Sequence, residues 1–487
     1  KNLLQLSEEI DNVVSDLLGP ILSSKNPLPA TMEEQVSWLT KHGFKPDIIN
    51  DVWPKLMELT ARSIRGQKDE AIRRNFLYYF VEELRVVNLD FNLGLKLLFD
   101  FIKSTHAKAS LFSLLVKEKH LLHDLAILFS VSPYLGGIIS SRPEILDNYF
   151  MNAQAELSSD FETLLDQLTE KKLLSEIISS KEFLHSKDIH TLNMSLSSTA
   201  DLITTQLFKS LKLQYTSNSI EILAMGKWGG KELGLKSDLD FIFICFEPPS
   251  PSDFKIARRF FSRLRDQHKG GTLYDVDLRL RPSGKAGPLI VKWDRLLNYI
   301  ENEADPWELQ TYLKARFIDS KLDTKLIEIL KEAIFKYKIT SEDLILLSSI
   351  KTQLNSKAKP SLIDIKYSPG GLIDIELGSQ LSSLKHKIVS SKSSLYEIID
   401  ALISNNHSWQ SAGLSIFNNY QQLRIWEQLY QLITSHTGTE IHWNSEFMPT
   451  YSLLLNCTPV NLQTEIQTLL DQNLILLKKV DPDYFSS

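Results

Sequence analysis

The sequence predicts an α+β fold, mostly α, in which a small mixed sheet is flanked by N- and C-terminal helical regions. Three observations carry this. Apolar residues recur at three- and four-residue spacing from Asn2 to about Phe208, β-branched and aromatic residues concentrate between Glu221 and Arg281, and helical spacing returns beyond Trp293. The expected organisation is a helical region over 1–205, a mixed domain over 206–345 and a helical domain over 346–487.

With 487 residues, 43% of them hydrophobic, the chain can bury a sizeable core, spread over roughly two to four domains or subdomains. A formal charge of -6, from 54 basic and 60 acidic side chains, offers no broad attraction for nucleic acid or an anionic membrane. Neither is an expected partner, and any phosphate contact must be local. Cys245 and Cys457 are the only cysteines and lack a nearby Cys or His at metal-ligand spacing. That argues against a disulfide framework or zinc site and points to a reducing cytoplasm. No apolar run is long enough to span a bilayer, and no signal-peptide pattern is present.

The elements follow in order. Ile48, Ile49, Val52, Leu56 and Leu59 share a helical face, while Ser132-Pro133 and Arg142-Pro143 mark helix starts or breaks. Ile222, Leu223 and Ala224 read as a strand running into Met225-Gly226-Lys227-Trp228-Gly229-Gly230, a Gly-rich loop. Asp238 to Phe246 reads as a second strand, Phe254 to Gln267 as a helix, and Thr272 to Arg281 as a third strand. Helical spacing is interrupted around Ser361 to Gly371. There Lys366 follows Asp364 at strand spacing, and Ser368-Pro369-Gly370-Gly371 is a turn opening a helix with Asp374 and Glu376 near its start.

In Ser237-Asp238-Leu239-Asp240-Phe241, two acids separated by one apolar residue fall on the same face of a strand, because side chains alternate with a period of two. Leu239, Phe241 and Phe243 take the other face, toward a core. Two carboxylates this close repel, and a divalent cation is the usual remedy. Asp275, Asp277, Arg279 and Arg281 would form a similar row on the third strand. A sheet bringing Asp277 beside Asp238 and Asp240 would supply three carboxylates for two magnesium ions, with Arg279 and Arg281 reaching toward phosphate oxygens. A solvated strand face of alternating charges is the other reading of that row. Gly226, Gly229 and Gly230 allow close backbone approach, and Lys227 offers a point charge for a phosphate. An ordinary turn would explain the glycines alone equally well.

The order Met225-Gly226-Lys227, Asp238-Leu239-Asp240-Phe241 and Val276-Asp277-Leu278 resembles the polymerase-β nucleotidyltransferase superfamily. More narrowly, MGKWGGKELGLKSDLDFIF, LYDVDLRLRPSGKAGPL, DPWELQTYLKAR and DIKYSPGGLIDIEL resemble successive motifs of the bacterial glutamine synthetase adenylyltransferase family. That family carries two catalytic halves, one attaching AMP and one removing it, and this chain has room for one. Arg281-Pro282-Ser283-Gly284, Trp307-Glu308-Leu309-Gln310 and Ile373-Asp374-Ile375-Glu376 resemble the attaching half. Beyond about Gly378 the likeness is confined to Leu423-Arg424-Ile425-Trp426-Glu427.

The resemblance implies a polymerase-β-like nucleotidyltransferase domain that moves AMP from ATP to a tyrosine of glutamine synthetase, releasing pyrophosphate. It implies Asp238, Asp240 and Asp277 as metal ligands for Mg2+. Gly226, Lys227, Gly229, Gly230, Ser237, Arg279, Arg281 and Lys366 become the nucleotide-binding set, and a PII signal protein a second partner. Phosphorolytic removal of AMP, or a regulatory module without chemistry, stays open at this point. The chain departs from the family's usual Leu at Trp228, Glu at Asp275 and His at Leu309, which bears on rate and affinity rather than on the metal carboxylates.

Overall fold

The computed structural model describes residues 27–61, 67–105, 108–146, 156–217, 219–318, 320–359 and 362–485. The chain divides into two compact units, Lys1–Gln154 with Ile433–Ser435, and Ala155–Leu432 with His436–Ser487. The described residues are mostly helical, with one small mixed sheet and one two-stranded pair. No described helix is long and apolar enough to cross a membrane.

The first unit is built of helices, among them Gln67–Val87, Phe91–Ser104 and Lys119–Val131. Their ends are marked locally. Asp90 accepts from the Leu93 amide, and Ser132 caps Pro133–Ser141 with proline in the first turn, the position where its missing N–H costs nothing. The expected helical face at Ile48, Ile49 and Leu56 is buried. Part of the helical reading, including residues 1–26, lies outside the described residues.

In the second unit, helices Phe161–Ser186 and Ile189–Tyr215 pack side by side, joined through Lys187 in the left-handed region and capped by Asp188. The sheet follows. Strand β1 (Ile220–Ala224) pairs antiparallel with β2 (Leu239–Cys245) from Ile220–Cys245 to Ala224–Phe241. The other edge of β2 is shared by two short parallel strands, β3 (Val276–Asp277) at its start and β4 (Ile290–Lys292) at its end. β5 (Arg316–Phe317) closes the far side of β1. Parallel partners require crossovers, and helix Pro251–Arg265 supplies the first of them, its Phe260 packing on Phe208, Phe241 and Phe243. Leu239, Phe241 and Phe243 are fully buried, as the alternation predicts.

The strand expected over Thr272–Arg281 is confined to Val276–Asp277. Ladder hydrogen bonds exist only where β2 offers an edge, and past Asp277 the chain turns at Arg279 and Leu280 toward the left-handed Ser283. The stretch Gly226–Gly229, read as a loop, forms one helical turn. The interruption near Ser361–Gly371 holds β6 (Ile363–Asp364), paired with β7 (Glu440–Ile441), and the turn that opens helix Leu372–His386.

Candidate active site

β2 and β3 are paired so that Asp240 lies directly opposite Asp277, with Asp238 one residue before β2 begins. The result is a group of three carboxylates, Asp238, Asp240 and Asp277, each with an oxygen within 4.8 Å of the others. All three are acceptor-only when ionised, the oxygen donor set that suits Mg2+. Burial, and then the charges of Asp238 and Asp277, push the Asp240 carboxyl up to about 7, against opposing pulls from Lys314 and Lys227. Three carboxylates this close repel one another when ionised. A divalent cation would relieve that repulsion.

The helical turn after β1 lies against this cluster. Gly226 has φ +53°, and a Cβ there would stand 2.3 Å from Asp240 Oδ2, so the backbone approaches the carboxylate as only glycine permits. Met225 N donates to the Asp240 carbonyl at 2.8 Å. At Gly229 a Cβ would meet the Lys314 carbonyl at 2.1 Å, and at Gly230 the Glu232 and Lys314 side chains below 3 Å. These two glycines are explained by packing inside the protein. Ser237 is used locally, its hydroxyl accepting from the Gly234 amide at 3.0 Å.

The basic residues divide. Lys227, a third of whose side chain is exposed, sits with its ammonium 3.6 Å from Glu427 Oε1. Desolvation pulls its pKa down to about 8, with Glu427 opposing and Arg424 and Lys366 adding to the fall. Lys366 joins this group from the C-terminal region. Burial depresses its pKa, but Tyr367 and Glu427 outweigh burial and leave it raised. Arg279 does not extend along a strand. It folds back on Asp277, donating from its amide at 2.8 Å and from Nε at 2.7 Å, so its guanidinium, though largely exposed, is paired with a candidate metal carboxylate. Arg281 lies in the following turn, where its carbonyl accepts from Gly284 at 2.8 Å, and Asp275 is exposed outside the carboxylate group.

Trp228 and Leu309, singled out in the sequence, acquire a structural account. Trp228 is fully buried, stacks edge-on against Phe241 and donates its indole N–H to Asp201 at 2.8 Å, beside Arg316, which bonds the same carboxylate at 2.9 Å. It ties the glycine turn to helix Ile189–Tyr215. Leu309 is fully buried, so the residue there packs in the core. Asp374 is 1% exposed and accepts from the Gly370 amide at 2.8 Å, holding the Pro-Gly-Gly turn.

Sequence reading passed over a buried charge network next to the glycine turn. Lys314 Nζ donates to Glu232 Oε2 at 2.8 Å and to Glu376 Oε1 at 2.9 Å. Arg424 pairs with Glu427 on helix His407–Thr434 and donates to the Glu232 carbonyl at 3.0 Å. The i,i+3 spacing of Arg424 and Glu427 was the one local signal for this network.

Residues 178–328 match the family model described as glutamate-ammonia ligase adenylyltransferase. Among curated proteins, the bifunctional glutamine synthetase adenylyltransferase/adenylyl-removing enzyme of Rhodopseudomonas palustris is 27% identical over 70% of this chain and 39% of its own length. Its counterpart in Chromobacterium violaceum is 29% identical over 57% of this chain and 34% of its own length. That of Methylococcus capsulatus is 31% identical over 38% of this chain and 22% of its own length. The chain thus covers at most 39% of the length of these three relatives. The motif resemblance is borne out as similarity to these proteins.

Proposed function

We propose that this chain transfers AMP from ATP to a tyrosine of glutamine synthetase and releases pyrophosphate, through a polymerase-β-like nucleotidyltransferase domain over 206–345. The observation that carries the proposal is the convergence of Asp238, Asp240 and Asp277 from paired strands beside a glycine turn bearing a lysine. The similarity of residues 178–328 to an adenylyltransferase model supports the choice of reaction. The relatives' name covers both attachment and removal of AMP, and the motif Arg281-Pro282-Ser283-Gly284 favours attachment.

In this reading Asp238, Asp240 and Asp277 hold Mg2+, which when bound supplies Lewis-acid polarisation of the phosphates. The chain's own residues do the rest. Lys227 sets positive charge beside the carboxylates, with Lys366 close behind it, where that charge meets the polyphosphate and stabilises charge on the leaving pyrophosphate. Gly226 lets the backbone approach the same place. Arg279 holds the Asp277 carboxylate in orientation. The helical region over 346–487 then serves the substrate side through Lys366.

Incubating the chain with glutamine synthetase and labelled ATP, in parallel with adenylylated synthetase and phosphate, separates the two directions. Transfer of label in the first arm is expected. Asp240→Asn should slow it by at least about a hundredfold, since loss of even an outer partner of a metal site costs 10–100-fold. An Asp240→Asn variant as fast as the parent would remove the metal assignment.

A further inference from the structure

Arg424 and Glu427 sit where charge is costly: each side chain is 2% exposed, and a buried ion pair gains little over well-packed apolar residues. What the pair touches gives it a use. Arg424 Nη2 donates to the Glu232 carbonyl at 3.0 Å, and the neighbouring Gln428 Oε1 accepts from the Leu235 amide at 2.8 Å. One face of helix His407–Thr434 therefore grips the loop that leads into Asp238. At Gly234 a Cβ would come within 2.5 Å of Gln428, so the fit is close.

Glu427 looks two ways. Its Oε2 serves Arg424, while its Oε1 lies 3.6 Å from Lys227 Nζ. That separation holds the ammonium by charge but lies beyond ordinary hydrogen-bond range, so the pairing leaves the N–H donors of Lys227 to a ligand. A lysine stem carries about 2 kcal/mol of rotamer entropy. Confining it before the ligand arrives removes part of the cost of binding.

We propose that Glu427 is a positioning residue that holds Lys227 ready for a nucleotide phosphate, an inference that rests on the nucleotidyltransferase reading above. Glu427 stands outside the carboxylate group. It acts through Lys227, whose charge also bears on Asp240, and so links the C-terminal helix to the carboxylate cluster.

The test is a double-mutant cycle in the full chain, reading MgATP affinity by calorimetry and the kcat and KM of AMP transfer. Glu427→Gln is expected to weaken ATP binding and raise its KM by about tenfold, with kcat falling as well because Lys227 also meets the leaving pyrophosphate. In a Lys227→Gln background the same change should add almost nothing, because its route is already gone. Glu427→Gln leaves Arg424 buried against a neutral partner and can fail to fold. The paired variant Arg424→Met with Glu427→Met replaces both ions with apolar chains of similar length and should show the same ATP loss. Parent-like ATP affinity in the paired variant, or a Glu427→Gln loss that adds in full to that of Lys227→Gln, would overturn the inference while leaving the nucleotide reading intact. A parent chain that binds no ATP would instead remove that reading, and this inference with it.

Discussion

The interior of the first unit is formed by rings such as Phe76, Phe80, Phe101 and Phe129, all fully buried, whereas the second unit also encloses Glu232, Lys314, Arg424 and Glu427 at 2% exposure or less. Apolar burial tolerates approximate fits, since it scales with area. A buried ion does not, because an unpaired charge in a low-dielectric interior is strongly destabilising. The first unit pairs its buried Arg73 with the half-buried Glu70 and with Thr60. The second places a network of buried charges against the glycine turn and the carboxylates. Charge buried at that cost, concentrated beside one turn, marks the part of the molecule where side-chain position matters most.

The largest expected effect breaks the comparison at Lys314. Lys314→Met strands Glu232 and Glu376, and breaking a buried pair costs about 3–5 kcal/mol. Phe101→Ala in the first unit should cost a similar amount, about 3–5 kcal/mol, by opening a cavity. Denaturant melts at two pH values tell the causes apart. Against the pull of burial, Lys314 holds the Glu376 carboxyl below its ordinary value, so the stability this pairing gives is present above the ordinary glutamate range and lost on acidification through the lowered one. Without Lys314 the stranded carboxylates protonate as pH falls, and the penalty shrinks. The Phe101→Ala penalty should not change with pH. Equal pH dependence in both would sink the distinction between the two interiors.

A smaller effect sharpens it at Trp228, where apolar and ionic burial meet. Trp228→Phe keeps a ring against Phe241 but removes the donor to Asp201. The expected loss is about 1.5–3 kcal/mol, the range for a hydrogen bond to a charged group. Thermal melts should show it, and an unchanged melting temperature would mean that Arg316 alone satisfies Asp201.

What could be read in the sequence followed the range of the interaction. A short apolar run located β1, and period-two alternation located β2 and set Asp238 beside Asp240, because those are relations over a few residues. The glycine pattern located the turn, though not its helical form. The row from Asp275 to Arg281 failed for a non-local reason. Whether a strand continues depends on an edge to pair with, and β2 gives β3 only two residues before β4 takes over. Lys314 was silent because its partners stand 82 and 62 residues away. That Trp228 and Leu309 are fully buried was equally silent, because burial depends on elements distant in sequence.

The mildest lever is pH acting on the carboxylates themselves, with the first unit as the silent control. In the metal-free chain the Asp240 carboxyl is raised to about 7, by burial first and then by Asp238 and Asp277. Mg2+ binding needs the ionised form, so a proton must leave when the ion arrives below that pH. Affinity should therefore fall by up to about tenfold for each unit of acidification below about pH 7, and level off above it. Calorimetry in buffers of different ionisation enthalpy reads the proton directly: close to one released per binding event near pH 6, and almost none near pH 8.5. Asp277→Asn removes one of the like charges that raise Asp240, so the break should move to lower pH even as affinity weakens. An affinity unchanged between pH 6 and 8 would mean that no carboxyl of the cluster takes up a proton in that range, and the like-charge crowding around Asp240 would then be offset by its surroundings.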